Sequence, residues 1–379
     1  MLPEIESRSE PLTPRPPQAI IACFLGRDLS TGISPLGAGL INATYRVDTE
    51  RGSYVLQRIN AKVFPAPERI MANLSQLQAQ SAAHPELDIR LPRLLMAADG
   101  HPFVRDADNG LWRLMEYIHP SRTLSSVQND AQAIEIGRTL GRFHRLGAKL
   151  NPDALKTTLP GFHHTPTCLA ALDAALDGAD STSRRNRPMN DEIGQALAFI
   201  ATRRSLVHQL EDARRRGLTR IRVIHGDPKL DNLLFHQHSD QALCFIDLDT
   251  VQPGLIHYDI GDCLRSCCKS TGETATTVRF DTTICGNILG AYAEQVRHLL
   301  SPAEVELIYP AIRLIPFELG LRFLTDHLQG DRYFRVSARG ENLQKARIQF
   351  ALVAEIERHV DSIKSIVQSV FGNGRPQCG

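Results

Sequence analysis

Long apolar runs are missing from this chain of 379 residues. No stretch of 18 consecutive apolar residues occurs, which argues against a membrane-spanning helix. The start, Met1-Leu2-Pro3-Glu4-Ile5-Glu6, has neither the basic nor the apolar segment that directs secretion. A cytoplasmic protein with no membrane partner is the expectation. Excess charge is missing as well. Lys plus Arg number 43 against 42 Asp plus Glu, a net charge of +1, so there is no bulk electrostatic ground for a nucleic-acid partner. Cysteine is sparse, with eight residues in the whole chain, too few for a disulfide framework and suited to reduced thiols. Cys263, Cys267 and Cys268 with nearby His257 suggest either a metal site or small residues of a helix core. The sequence specifies no oligomeric state.

What is there is an ordinary globular composition, 42% hydrophobic and 22% charged, which at roughly 100–200 residues per domain implies two or three domains. Residues 1–17 are rich in proline and residues 371–379 are unpatterned, so both are expected to be loose tails. Residues 18–118 read mostly as sheet. Ile41, Ala43, Tyr45 and Val47 alternate with polar residues, Glu50-Arg51-Gly52-Ser53 turns the chain, and Tyr54–Ile59 returns as the second arm of an antiparallel hairpin. A helix is predicted from about Pro67 to Ala83, then strand-like segments at Arg93–Ala97 and Trp112–Ile118. Residues 119–370 turn helical. One helix is capped by Asn129, and a second is predicted to run unbroken from about Asn190 to Arg216. Short apolar segments at 221–224, 233–235 and 243–246 interrupt this helical part, and Ser181–Pro188 reads as a mobile loop.

The interruption carries the chemistry. It reads His225-Gly226-Asp227-Pro228-Lys229-Leu230-Asp231-Asn232, with Ile246-Asp247-Leu248-Asp249 following. Two loops joined by a short hairpin would present Asp227, Asn232, Asp247 and Asp249 together. Phosphoryl transfer from ATP needs a carboxylate to orient and deprotonate the attacking hydroxyl, and oxygen ligands for Mg2+. Asp227 fits the first role and Asn232 and Asp247 the second, while Lys229 can stand beside the transferred group. Two other readings apply to the same residues. His225-Gly226-Asp227 is also a plausible turn, and Asp247-Leu248-Asp249 after an apolar strand resembles a phosphatase motif, with Asp247 as nucleophile and Asp249 as general acid. Upstream, Gly37 and Gly39 let backbone amides approach phosphates, with Asn42 where a third glycine is usual. Met115–Ile118 forms the natural hinge between sheet and helices, where backbone groups of Glu116 and Ile118 could read adenine.

This order of a small sheet, a hinge, His-Gly-Asp-x-x-x-x-Asn, Ile-Asp-x-Asp and a helical remainder resembles the aminoglycoside phosphotransferase and choline kinase superfamily. Within it the chain is most similar to the N-acetylhexosamine 1-kinases, through Gly39–Tyr45, Lys229–Leu234, Ile246–Gly254, Asp259–Arg265 and Leu321–Phe334. The resemblance spans roughly residues 32 to 360. It implies an α+β, two-lobed protein-kinase-like fold, with a small antiparallel-sheet nucleotide lobe and a larger, mostly helical catalytic lobe. It also implies ATP and Mg2+ as cofactors, and a small sugar acceptor phosphorylated on its anomeric hydroxyl. By the same resemblance Asp227 is the catalytic base, Asn232 and Asp247 hold the metal, and Arg322 and Tyr333 line the sugar pocket. An ion pair with Asp326 is the competing role for Arg322. Asp259 and Asp262 either cap or order the site. Where many members carry Lys or Arg on the third strand this chain has Gln57, as the hexosamine kinases do, and Arg58 would face the opposite side. Leu40 stands where the hexosamine kinase pattern has His. A kinase of another small alcohol, such as an aminoglycoside, and a non-catalytic nucleotide-binding module are the alternatives.

Overall fold

The computed structural model describes residues 18–26, 32–37, 41–177, 191–271, 277–334 and 336–372. Gly39, Leu40, the stretch 181–188 and nearly all of both tails lie outside the described residues. The chain divides into two compact units, one ending at Met71 and resuming over Pro92–Ile118, the other made of Ala72–Leu91 and everything from His119.

The first unit holds α1 (Gln18–Leu25), β1 (Gly32–Pro35), β2 (Ala43–Thr49), β3 (Gly52–Arg58), the first turn of α2 (Glu68–Ala83), β4 (Val104–Arg105) and β5 (Leu111–Glu116). Its five strands form one antiparallel sheet in the order β1-β2-β3-β5-β4. The period-two alternation explains the sheet's two faces. Tyr45, Val47, Leu56, Trp112 and Leu114 are buried together with Ile20 and Ile21 of α1, so Thr44, Gln57 and Arg113 fall on the other face. Arg93–Ala97 makes no strand of its own. It runs beside β5 through a single bridge, Leu94 to Met115.

The second unit continues with β6 (Ser121–Arg122), α3 (Asp130–Gly147), α4 (Thr165–Asp177), α5 (Asp191–Ala201), α6 (Gln209–Arg215), β7 (Ile221–Ile224), β8 (Leu233–His236), β9 (Ala242–Phe245), β10 (Gln252–Leu255), α7 (Ile256–Cys267), β11 (Lys269–Thr271), β12 (Val278–Phe280), α8 (Thr282–Val296), α9 (Pro302–Glu306), α10 (Ile308–Gln329), α11 (Glu341–Arg358) and α12 (Val360–Gly372). Asn129 caps α3 by accepting from Gln132 N. Gly137 lets α3 close on α8, since a Cβ there would stand 2.1 Å from the Ile288 carbonyl oxygen. A core cluster joins α4, α5, α6, α10 and α11.

The predicted helix over 190–216 is broken. α5 stops at Ala201, and a 3-10 turn over Arg204–His208 precedes α6. Arg203 is the cause, because its guanidinium lies 3.7 Å over the Phe199 ring and pairs with Glu357 of α11 at 2.7 Å. That tertiary pairing outweighs helix propensity, which is a weak prior. α12 runs to Gly372, so Phe371 and Gly372 are helical and not part of a loose tail. The three cysteines of the possible metal site are buried on or just after α7. Cys263 and Cys267 lie one helical turn apart with 4.0 Å between sulfurs, and His257 spends Nε2 on the Glu304 carbonyl.

Candidate active site

Three short strands of the second unit place the chemistry. β7 ends at Ile224 and delivers His225-Gly226-Asp227. β8 starts directly after Asn232, and β9 ends just before Ile246-Asp247. Ile246 N donates to Asn232 O at 2.8 Å, which closes the base of the two loops. Gly226 has φ 89°, and a Cβ there would meet the Thr250 carbonyl oxygen at 2.7 Å. Glycine is therefore required by conformation and by space.

Asp227 is partly exposed, with a side-chain exposure of 23%. Its Oδ2 accepts from Lys229 Nζ at 2.6 Å and from Asn232 Nδ2 at 2.9 Å. Burial pushes the Lys229 ammonium down, but the Asp227 carboxylate beside it more than compensates and its pKa is raised. Asn232 also donates from Nδ2 to the Asp227 carbonyl at 2.8 Å. With its nitrogen turned to Asp227, its amide oxygen is the atom left for another partner. Asp247 has left-handed backbone, φ 59° and ψ 51°, a conformation Asp tolerates better than most residues. It is exposed, whereas Asp249 is 2% exposed. The expected four-residue presentation is thus corrected to Asp227, Asn232 and Asp247, with Asp249 turned inward on a 3-10 turn. The phosphatase reading loses its basis too, because β9 belongs to an antiparallel sheet, β6-β8-β9.

α7 holds the loop from behind. Asp259 accepts from His225 N at 2.7 Å and Gly226 N at 2.8 Å, and from His144 Nε2 at 2.9 Å. Burial pushes its pKa up, yet the His144 and backbone donors hold it below the usual carboxylate value. Ser266 Oγ accepts from Leu230 N at 3.0 Å. Of the two roles open for Asp259, the structure gives ordering of the loop. Asp262 accepts from Arg265. His225 accepts from Asp227 N at Nδ1, 3.2 Å, and donates from Nε2 to Ile246 O, 3.2 Å. Burial lowers its pKa, which suits the neutral ring that this pattern requires.

Arg322 lies on α10 and Tyr333 in the turn after it. The Arg322 guanidinium stands 5.3, 5.8 and 5.4 Å from the rings of Phe162, Tyr333 and Phe334. Asp326 instead accepts from the backbone amides of Arg332, Tyr333 and Phe334 at 2.8, 2.8 and 2.9 Å. The competing ion pair gives way to a carboxylate that pins the turn.

In the first unit, Gly37 follows β1 with φ 68°, and the Asn42 side-chain oxygen accepts from Asn60 N at 3.0 Å. Gln57 Oε1 accepts from Arg113 Nε and a terminal nitrogen at 3.0 and 2.6 Å, and Gln57 Nε2 donates to Thr44 Oγ1 at 3.0 Å. Arg58 faces the other side and pairs with Asp106 at 2.9 Å. Glu116 ends β5, with its N–H on the Arg93 carbonyl at 2.8 Å, and Ile118 is buried. The sequence reading missed Arg113, which the β3–β5 register places directly opposite Gln57. Phe162 was missed as well, because no local spacing links it to the loop.

Among solved structures, the chain is similar to an aminoglycoside phosphotransferase from Alicyclobacillus acidocaldarius, with a TM-score of 0.61 and 18% identity over 97% of this chain and 100% of that one. A choline kinase from Cryptosporidium parvum matches with a TM-score of 0.54 and 14% identity, covering 90% and 93% of the two chains. A spectinomycin phosphotransferase solved with ADP and spectinomycin matches with a TM-score of 0.53 and 13% identity, covering 90% and 98%. These likenesses establish the two-lobed, kinase-like α+β fold. The family model described as the phosphotransferase enzyme family matches residues 32–292. That segment runs from β1 into α8, through the sheet and the whole Asp227–Asp247 constellation, and the chain belongs to this family.

Proposed function

We propose that the protein transfers the γ-phosphoryl group of ATP to the anomeric hydroxyl of an N-acetylhexosamine. The observation that carries the acceptor class is the cluster of Arg322 among the rings of Phe162, Tyr333 and Phe334. Its neighbouring carboxylates are committed elsewhere, Asp326 to backbone amides and Glu318 to His163 and Thr165. A guanidinium beside aromatic faces suits a neutral sugar with hydroxyl and acetamide oxygens, and opposes a polycationic aminoglycoside.

Lys229 and Asn232 occupy one Asp227 oxygen, so the other accepts the proton of the acceptor hydroxyl. The hydroxyl oxygen forms its bond to the γ-phosphorus as the bond to the β-bridging oxygen breaks, and ADP leaves. Lys229 offsets charge on the transferred group. The Asn232 amide oxygen and the exposed Asp247 carboxylate form an oxygen donor set that fits Mg2+, an ion usually held by one or two protein oxygens plus phosphates. When bound, that ion neutralises phosphate charge. Gly37, Gly39, Asn42 and Gln57, with backbone groups of Glu116 and Ile118, are the proposed nucleotide contacts, and Arg113 adds positive charge on the Gln57 face.

The test is a screen of N-acetylglucosamine, N-acetylgalactosamine, glucose and an aminoglycoside with MgATP, read by which atom of the product carries phosphorus. An N-acetylhexosamine 1-phosphate is expected. In Arg322→Ala, kcat/KM for the sugar should fall at least about tenfold, the loss of one charge-assisted hydrogen bond of about 1.5–3 kcal/mol, with the ATP KM unchanged. Unchanged sugar kinetics would remove Arg322 from the pocket.

A further inference from the structure

His163 is buried, 4% exposed, and takes no part in the chemistry described so far. It precedes α4 with left-handed backbone, φ 58°, uncommon for a residue with a side chain of this size. That backbone turns its ring between two acceptors. Nε2 lies 2.6 Å from the Gly226 carbonyl oxygen and Nδ1 lies 3.1 Å from Glu318 Oε1. Neither oxygen can donate while Glu318 is ionised. A neutral imidazole has one N–H and would leave one nitrogen lone pair facing an oxygen, whereas the cation has two. Glu318 Oε2 accepts from Thr165 Oγ1 at 2.7 Å, so the whole carboxylate is engaged. The ring stacks on Tyr258 at 5.3 Å between centroids and 27° between planes.

The connections matter more than the burial. Gly226 is the residue before Asp227. Glu318 lies one helical turn before Arg322 on α10, and Phe162, the residue before His163, lies under the Arg322 guanidinium. One ring therefore ties the loop of the base to the helix and the aromatic side chain of the acceptor cluster.

We propose that His163 is a positioning residue, an imidazolium bridging Gly226 and Glu318 that sets the catalytic loop and the acceptor cluster in one fixed relation. The inference rests on the acceptor role proposed above for Arg322. The charged and titratable groups around the ring are Glu318 and Arg322 of α10, Tyr258 and Asp262 of α7, and His225 and Asp227 flanking Gly226. Burial pushes the His163 pKa down, but Glu318, then Asp262 and the Gly226 carbonyl, bring it above the ordinary histidine value. Glu318 is held below its usual value by His163 in spite of burial. Burial raises the Tyr258 hydroxyl well out of the neutral range. Loss of the His163 proton at alkaline pH therefore removes one of its two bonds.

Two measurements on the full chain decide the matter. Nitrogen NMR of the His163 ring, assigned with His163→Gln, should show both nitrogens protonated near neutral pH, with or without any acceptor. A neutral ring there overturns the proposal, whatever the substrate proves to be. Kinetics with any alcohol the wild type phosphorylates should show kcat/KM falling on the alkaline side. In Glu318→Gln that limb should move to lower pH, and in His163→Gln it should vanish while kcat drops about tenfold to a hundredfold and the ATP KM stays constant. If both variants fold with wild-type circular dichroism and keep the wild-type pH profile, His163 is structural only and the proposal fails. A wild type inactive on every sugar would defeat the sugar reading and leave the ring measurement standing.

Discussion

Asp227 is hydrogen-bonded unevenly, and the asymmetry suits a base. Lys229 and Asn232 both reach Oδ2, fixing the carboxylate plane while leaving one oxygen for a substrate proton. Asp227→Asn should keep most of this geometry and lose only the ability to accept that proton. Turnover should fall roughly a hundredfold to ten-thousandfold, while nucleotide affinity by calorimetry stays within about twofold. Near-normal turnover would remove Asp227 from the mechanism. At this scale the sequence was informative where the candidate residues lie close together in the chain. His225 to Asn232 lie within eight residues, and their spacing alone pointed to Asp227, Lys229 and Asn232. Arg113 was not legible, because its neighbour Gln57 is 56 positions away and only strand register joins them.

Among the elements, α7 supports the Asp227 loop at two points, with Asp259 on the His225 and Gly226 amides and Ser266 on the Leu230 amide, seven residues apart and so roughly 10 Å along the helix. Asp259 has all its donors buried with it. Asp259→Asn replaces one acceptor oxygen with an N–H group among three donors, leaving at least one of them unsatisfied. Each such buried group costs about 1–3 kcal/mol. The variant should unfold at lower denaturant by about that much and lose activity by more than its remaining folded fraction explains. A stable variant with full kcat would show that the loop holds its shape without α7. The helices themselves were readable from apolar spacing and caps, as at Asn129. The break before Arg204 was not, because Glu357, the residue that captures Arg203, lies 154 positions away.

For the whole molecule, two buried groups, His257 and Glu304, add large terms to the response to acid. Burial lowers the His257 pKa to about 4, and its Nε2 faces the Glu304 carbonyl. Burial raises Glu304, but Arg222, at hydrogen-bond distance, and the Ser301 amide bring it to about 2. Both native values lie below those of the unfolded chain, about 6.5 and 4.3, so the unfolded state binds more protons in the interval. The contribution of these two groups is full above about pH 6.5 and is lost first as the pH falls toward 4 through His257, then between about 4.3 and 2 through Glu304. Each contributes a few kcal/mol, at about 1.4 kcal/mol per pKa unit. Denaturant midpoints from pH 8 to 3 should decline in that order. In His257→Asn the first part of the decline should disappear, and its persistence would assign the acid response to other groups. None of this was visible in the chain, where His257 stood near cysteines and left either a metal site or a helix core open.

The turn after α10 is attached in an unusual way. Asp326 holds residues 332–334 by their main-chain N–H groups, and the Phe334 ring packs on Phe323, so the backbone anchor does not depend on which side chains stand at 332 and 333. Arg332 and Tyr333 are exposed. These two positions can change identity without loosening the segment that carries them, which makes the turn a natural cassette for diversification. A library varied at 332 and 333 and left untouched at Asp326 would explore acceptor preference on an intact scaffold.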